Sequence, residues 1–167
     1  MPSWCQNEVT VVSTSEKEID KFVDFVKDGD NHFSFNKIIP IPDELVDTRV
    51  PTQIISQEEY DNFELSKTDV EFGIGVPITK EMSHRFKRAH GYDNWYDWSV
   101  DNWGTKWDVN CQSTQKDSSS QVKYYFDSAW CPPEGIYHYL QDMFPDIEIA
   151  WFYKVEDLGQ EGWLNRE

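Results

Sequence analysis

Six of the chain's eight tryptophans lie in or beside three short segments: MPSWCQN at the start, YDWSVDNWGTKWDV in the middle and FDSAWCPPEGI near the end. They are Trp4, Trp95, Trp98, Trp103, Trp107 and Trp130. Large rings carry the most apolar area per residue, so this grouping predicts one aromatic constellation that dominates the core or pocket it joins.

A chain of 167 residues fits one domain, expected over 1–167 with an insertion at about 40–103. With 38% hydrophobic and 16% aromatic residues, a packed core is expected despite the charge. Acids outnumber bases 31 to 15, a net charge of -16. Such a charge repels DNA, RNA and anionic membranes within a Debye length, about 8 Å at physiological salt. It directs the chain toward basic surfaces, cations or neutral small molecules. One reading is solubility alone. The sharper one is a surface that imitates a nucleic-acid backbone.

Cys5, Cys111 and Cys131 are odd in number and hold no CxxC spacing, which speaks against a disulfide framework and a zinc site. Reduced thiols in a cytoplasmic protein are expected. The N-terminus lacks a basic region followed by an apolar run, and no apolar stretch approaches a membrane span.

Along the chain, Glu8 to Ser13 reads as a strand, and a helix from about Glu16 to Lys27 follows a Ser15–Glu18 capping box. FSFNKII, ending at Pro40, reads as extended. Asp43 to Glu71 holds nine acids against Arg49 and Lys67, with a short helix near Gln57 to Leu65. Helices are expected at Thr79 to Ala89 and Asp93 to Trp103. The first carries Lys80, Arg85, Lys87 and Arg88, read as a solvated face that pairs with nearby acids. Thr105 to Cys111 alternates and reads as a strand; Gln112 to Ser120 reads as a flexible hairpin loop. A strand over Gln121 to Trp130, a helix opened by Pro132 and Pro133, and a strand over Ile147 to Val155 complete the pattern. The helix's apolar face is read as Ile136, Tyr139, Leu140 and Met143. The order implies an α+β, ferredoxin-like βαββαβ sandwich, an antiparallel sheet with helices on one face and a helical or irregular insertion after the first helix.

Four blocks together resemble the Api92-like, or YubB-like, ferredoxin-fold proteins of phages, prophages and plasmids: MPSWCQNEVTV, FSFNKIIPIPDEL, WSVDNWGTKW and FDSAWCPP. The acidic stretch Asp43 to Glu71 lies outside them. The resemblance implies the same fold and a mobile-element origin. It implies no activity.

Two sets of residues stand out. Glu58, Glu59, Asp61, Glu64, Asp69 and Glu71 offer an acidic contact surface. Trp4, Asn7, Asn102, Trp103, Thr105, Lys106, Asp127 and Trp130 sit in the shared blocks, where rings and polar groups together suit a nucleotide. The competing reading makes these a structural network: Gly104 permits a turn, Trp103 and Trp107 fill the core, and Lys106 pairs with Asp127 or Asp108. It is the favoured one. His32, His84, His90 and His138 lie outside the shared blocks, so no Cys–His nucleophile is supported. The expectation is therefore a non-enzymatic inhibitor, with no catalytic residue, metal or cofactor. Its partner would be a host defence protein with a basic nucleic-acid-binding surface, a CRISPR effector or restriction enzyme. Direct nucleic-acid or membrane binding is not expected. The alternative is a nucleotide or immune-signal binding protein.

Overall fold

The computed structural model describes residues 2–165, save the side chain of Thr68. In chain order the elements are β1 (Trp4–Val12), α1 (Glu16–Val26), α2 (Phe35–Ile38), α3 (Asp43–Val46), β2 (Ile54–Ile55), α4 (Gln57–Asp61) and α5 (Lys67–Phe72). They continue as β3 (Ile78–Thr79), α6 (Lys80–His90), α7 (Trp95–Trp103), β4 (Ser113–Ser118), β5 (Gln121–Ala129), α8 (Glu134–Met143), β6 (Glu148–Val155) and β7 (Gln160–Trp163). The chain divides into two compact units, one of residues 1–40 with 101–167, the other of residues 41–100.

The first unit is α+β. Its sheet has the order β4-β5-β1-β6-β7, with every neighbouring pair antiparallel. Alternation along a strand sends successive side chains to opposite faces. Cys5, Asn7, Val9 and Val11 stand opposite Ser128, Phe126, Tyr124 and Val122 on one side, and Val155, Tyr153, Trp151 and Ile149 on the other. Nearly all of them are buried. α1 brings Phe22 against Tyr124, and α8 brings Tyr137 against Trp151. Phe33 stacks on Phe126 at 4.9 Å and meets Trp151 edge-on. Burying each such side chain contributes roughly 1.5–3 kcal/mol, so this aromatic layer carries much of the unit's stability.

α1 begins as expected, with the Ser15 hydroxyl accepting from the Glu18 N–H. Three local expectations change. FSFNKII is not extended: Ser34 caps the single turn α2, accepting from the Lys37 N–H. Thr105 to Cys111 is not a strand. Its backbone is satisfied by side chains instead of a ladder. Asn31 donates to the Val109 carbonyl and accepts from the Cys111 N–H, while Asp108 accepts from Ser34, Phe35 and Asn36. Gln112 to Ser120 is not a loop but mostly β4, an edge strand exposed on both faces. With nothing to bury, it shows no apolar alternation. On α8, Tyr137 is buried where Tyr139 and Met143 were expected, and these two are exposed.

The second unit holds a two-stranded parallel pairing of β2 with β3. Thr79 caps α6 and Gly91 ends it in the left-handed conformation. The expected helix near Gln57 to Leu65 is shorter, and a separate helix, α5, follows it. Asp93 ties the unit together: it accepts from Thr52 and Ser83, both at 2.7 Å, and lies 3.5 Å from Lys87. Burial pushes the Asp93 carboxyl up. The hydrogen bonds from Ser83, Thr52 and Asn94 and the Lys87 ammonium more than offset this and hold it below the ordinary value. Gly75 has φ +83°, and a Cβ there would sit 2.6 Å from the Thr48 carbonyl oxygen, so the turn accepts only glycine.

Candidate functional site

The six grouped tryptophans do not share one environment. Trp98 and Trp103 are buried, whereas Trp4, Trp107 and Trp130 are exposed. Trp103 packs on Phe35 and donates from Nε1 to the Ile39 carbonyl. Thr105 donates to the Ala129 carbonyl, and the Cys131 thiol donates to the Gly104 carbonyl. A Cβ on Gly104 would lie 2.7 Å from the Glu134 amide nitrogen, and one on Gly135 would collide with the Asn102 carbonyl. The NWGTKW turn is thus held by backbone contact against the start of α8. Asn102 lies half-buried in this turn.

Asn7 is buried beneath the sheet. Its amide donates to the Cys5 carbonyl and the Ser128 hydroxyl, and its oxygen accepts from Trp151 Nε1 at 2.9 Å. Asp127 stands opposite Gln6 on β1, and Asn7 opposite Phe126. Alternation therefore sends the Asn7 and Asp127 side chains to opposite faces of the sheet, although both residues border one groove.

The outward face is where the remaining expected residues meet. One row across it runs Ser113, Tyr125, Glu8, Phe152, Trp163. The next runs Asp127, Gln6, Lys154, Glu161. Trp4 lies one step further on, 6.2 Å from the Trp107 ring. Lys106 extends over Trp107, its Nζ 4.1 Å from the ring centre. Two grooves open here, of about 280 and 560 Å³, both lined by Tyr125, Phe126 and Asp127. Gln6, Asn7, Glu8, Phe152 and Lys154 complete the smaller; Trp4 and Asp108 to Asn110 belong to the larger. Sequence reading missed Tyr125, Phe152 and Trp163. Their signal was the polar-side parity of the strands: an aromatic where alternation calls for a polar residue.

Chemistry at the cysteines is restrained. Burial raises all three thiols, Cys5 to about 11, so none is poised as a thiolate near neutral pH. Among the described residues no group of three His, Cys, Asp or Glu side chains is placed to hold a metal ion, and no helix is long and apolar enough to cross a membrane.

Of the acidic set in the second unit, Glu58, Glu59, Asp61, Glu64 and Glu71 are exposed. Asp69 is committed locally: it closes a capping box with Ser66 and lies 4.0 Å from Arg49. Hydrogen bonding to Ser66, aided by Arg49, holds its carboxyl below the usual value.

No family model and no curated protein matches the chain. A solved structure similar to it is that of protein Api92 from Yersinia pseudotuberculosis, described with family model DUF1281. The two are 11% identical; the match covers 98% of this chain and 93% of that one, with a TM-score of 0.51. The chain therefore has an Api92-like α+β fold.

Proposed function

We propose that this is a phage- or mobile-element-encoded acidic protein that acts in the host cytoplasm by binding, not catalysis. It inhibits a host defence system, of anti-CRISPR or anti-restriction type, by occupying a basic nucleic-acid-binding surface. The carrying observation is the spread of the charge. The second unit holds 12 acids and 6 bases, the rest of the chain 19 and 9, so both units are acidic. Carboxylates at Glu58, Glu59, Asp61, Glu64 and Glu71 stand in solvent, available to replace phosphates on a basic protein.

The same reading extends to topology. The order β4-β5-β1-β6, with α1 and α8 as connections, supports a ferredoxin-like βαββαβ arrangement to which β7 adds an edge strand. The test is displacement of duplex DNA from purified CRISPR effectors and restriction enzymes at low and high salt. The proposal expects displacement at low salt, weakened by salt and by Glu58→Gln, Glu59→Gln and Glu64→Gln together. Displacement indifferent to both would sink it.

A second reading is a nucleotide or immune-signal binder. It draws on the grooves beside Trp4 and Asp127. It expects a nucleotide to quench tryptophan fluorescence, and Asp127→Ala to abolish the quenching with the fold intact.

A further inference from the structure

We infer that the outward face of the sheet receives an arginine of a basic partner protein, its guanidinium paired with Asp127 and stacked against Tyr125 and Trp4. This rests on the binding reading above and moves its specific contact from the acidic stretch of the second unit to the sheet of the first.

The placement follows from register. Tyr125 and Asp127 are alternate residues of β5, about 7 Å apart on one face. The neighbouring position on that face is Ala129, which stands opposite Trp4. The carboxylate is therefore flanked along the strand direction by a ring on each side, at the junction of the two grooves. Tyr125, Asp127 and Trp4 are all exposed.

Charge selects the occupant. Two lysines of this face are already matched, Lys123 by Glu8 at 3.6 Å and Lys154 by Glu156 at 3.5 Å, and Lys106 lies over the Trp107 ring. Among the described residues the Asp127 carboxylate has no ion pair or side-chain hydrogen bond. An aromatic sheet face is a ready platform for bases, but a stacked nucleotide would carry its phosphate into a chain of charge -16. A cation meets no such barrier. Of the two basic side chains, the planar, weakly hydrated guanidinium can stack on a ring while it forks onto a carboxylate; the compact ammonium cannot do both. Aromatic and arginine pairs are also the residues that most often dominate protein interfaces.

The test compares an oligoarginine and an oligolysine peptide of equal length, by titration calorimetry and by amide resonance shifts. The arginine peptide should bind about tenfold more tightly and shift Tyr125, Asp127 and Phe152. Asp127→Asn and Tyr125→Ala should each remove about tenfold of that affinity and leave the lysine peptide unaffected. Both substitutions are at exposed positions, and unchanged thermal melts would show the fold retained. Equal binding of the two peptides overturns the inference. So does loss of binding only in the Glu58→Gln, Glu59→Gln, Glu64→Gln variant, an outcome that leaves the competitor function standing. If neither peptide binds at low salt, the competitor function falls as well. Guanosine monophosphate shifting Tyr125 and Phe152 where the arginine peptide does not would make the groove a nucleotide site. Concentration-dependent dimers lost in Asp127→Asn would make the occupant a second copy. Either result also overturns the inference.

Discussion

On the covered face of the sheet, Tyr124, Phe126 and Trp151 meet Phe22, Phe33 and Tyr137. One residue along the same strands, Tyr125 and Phe152 face outward among Glu8, Asp127 and Lys154, with Trp163 beside Phe152. Both faces are aromatic. They differ in what lies above them: α1, α8 and the Phe33 loop on one side, solvent and charged side chains on the other. The difference teaches that ring content does not mark a core. A ring contributes to stability when another element removes it from water, and remains available for recognition when none does.

The contrast breaks most visibly at Trp151. Trp151→Ala removes a fully buried ring and orphans the Asn7 side-chain oxygen Oδ1, for an expected loss of about 3–5 kcal/mol in denaturant unfolding. Trp163→Ala, 60% exposed on the other face, should cost under about 1 kcal/mol. Comparable losses would mean that the outward rings are structural too.

Alkaline pH should act through the covered face. Burial, partly offset by the Ser128 hydroxyl, raises the Cys5 thiol from 9.0 to about 11. The folded state thus holds its proton where the unfolded chain has released it. The resulting stability is complete below pH 9.0 and is lost as pH rises toward about 11. It amounts to roughly 3 kcal/mol at most, and Cys5→Ala should flatten that part of the stability–pH curve.

Tyr124→Phe tests the same layer with the opposite sign. The Tyr124 hydroxyl is buried with no hydrogen-bond partner among the described residues. Its removal should leave stability unchanged or raise it by about 1 kcal/mol in thermal melts. The smallest effects belong to the outward face: Tyr125→Ala and Asp127→Asn should each stay within about 0.5 kcal/mol of the parent. A larger loss would place these residues among the structural ones.

Much of this architecture was legible residue by residue. Val9 and Val11, the Ser15 cap, Ile19 and Phe22, and the run from Val122 to Phe126 announce their elements because local periodicity and burial agree there. β4 was not legible, since an edge strand exposed on both faces has no alternation to show. Nor was the 105–111 segment, whose apparent strand pattern is overridden by Asn31 reaching in from far along the chain and by its own Asp108 reaching out to Ser34. β7 escaped because it is short and only its pairing with β6 defines it. The candidate site was half legible. Trp4 and Asp127 could be named from the shared blocks, but Asn7, Trp103 and Thr105 proved committed to buried hydrogen bonds.

Composition and periodicity alone determined that the chain is acidic, that it has a core rich in rings, and which helices and central strands it forms. These properties depend on neighbours within a few residues. Which rings are buried, which carboxylates face the outward grooves, and which residues share a face depended on strand register and on the helices laid over one side of the sheet. Those relations join residues more than a hundred positions apart, as Asn7 is joined to Trp151, and only the tertiary structure decides them.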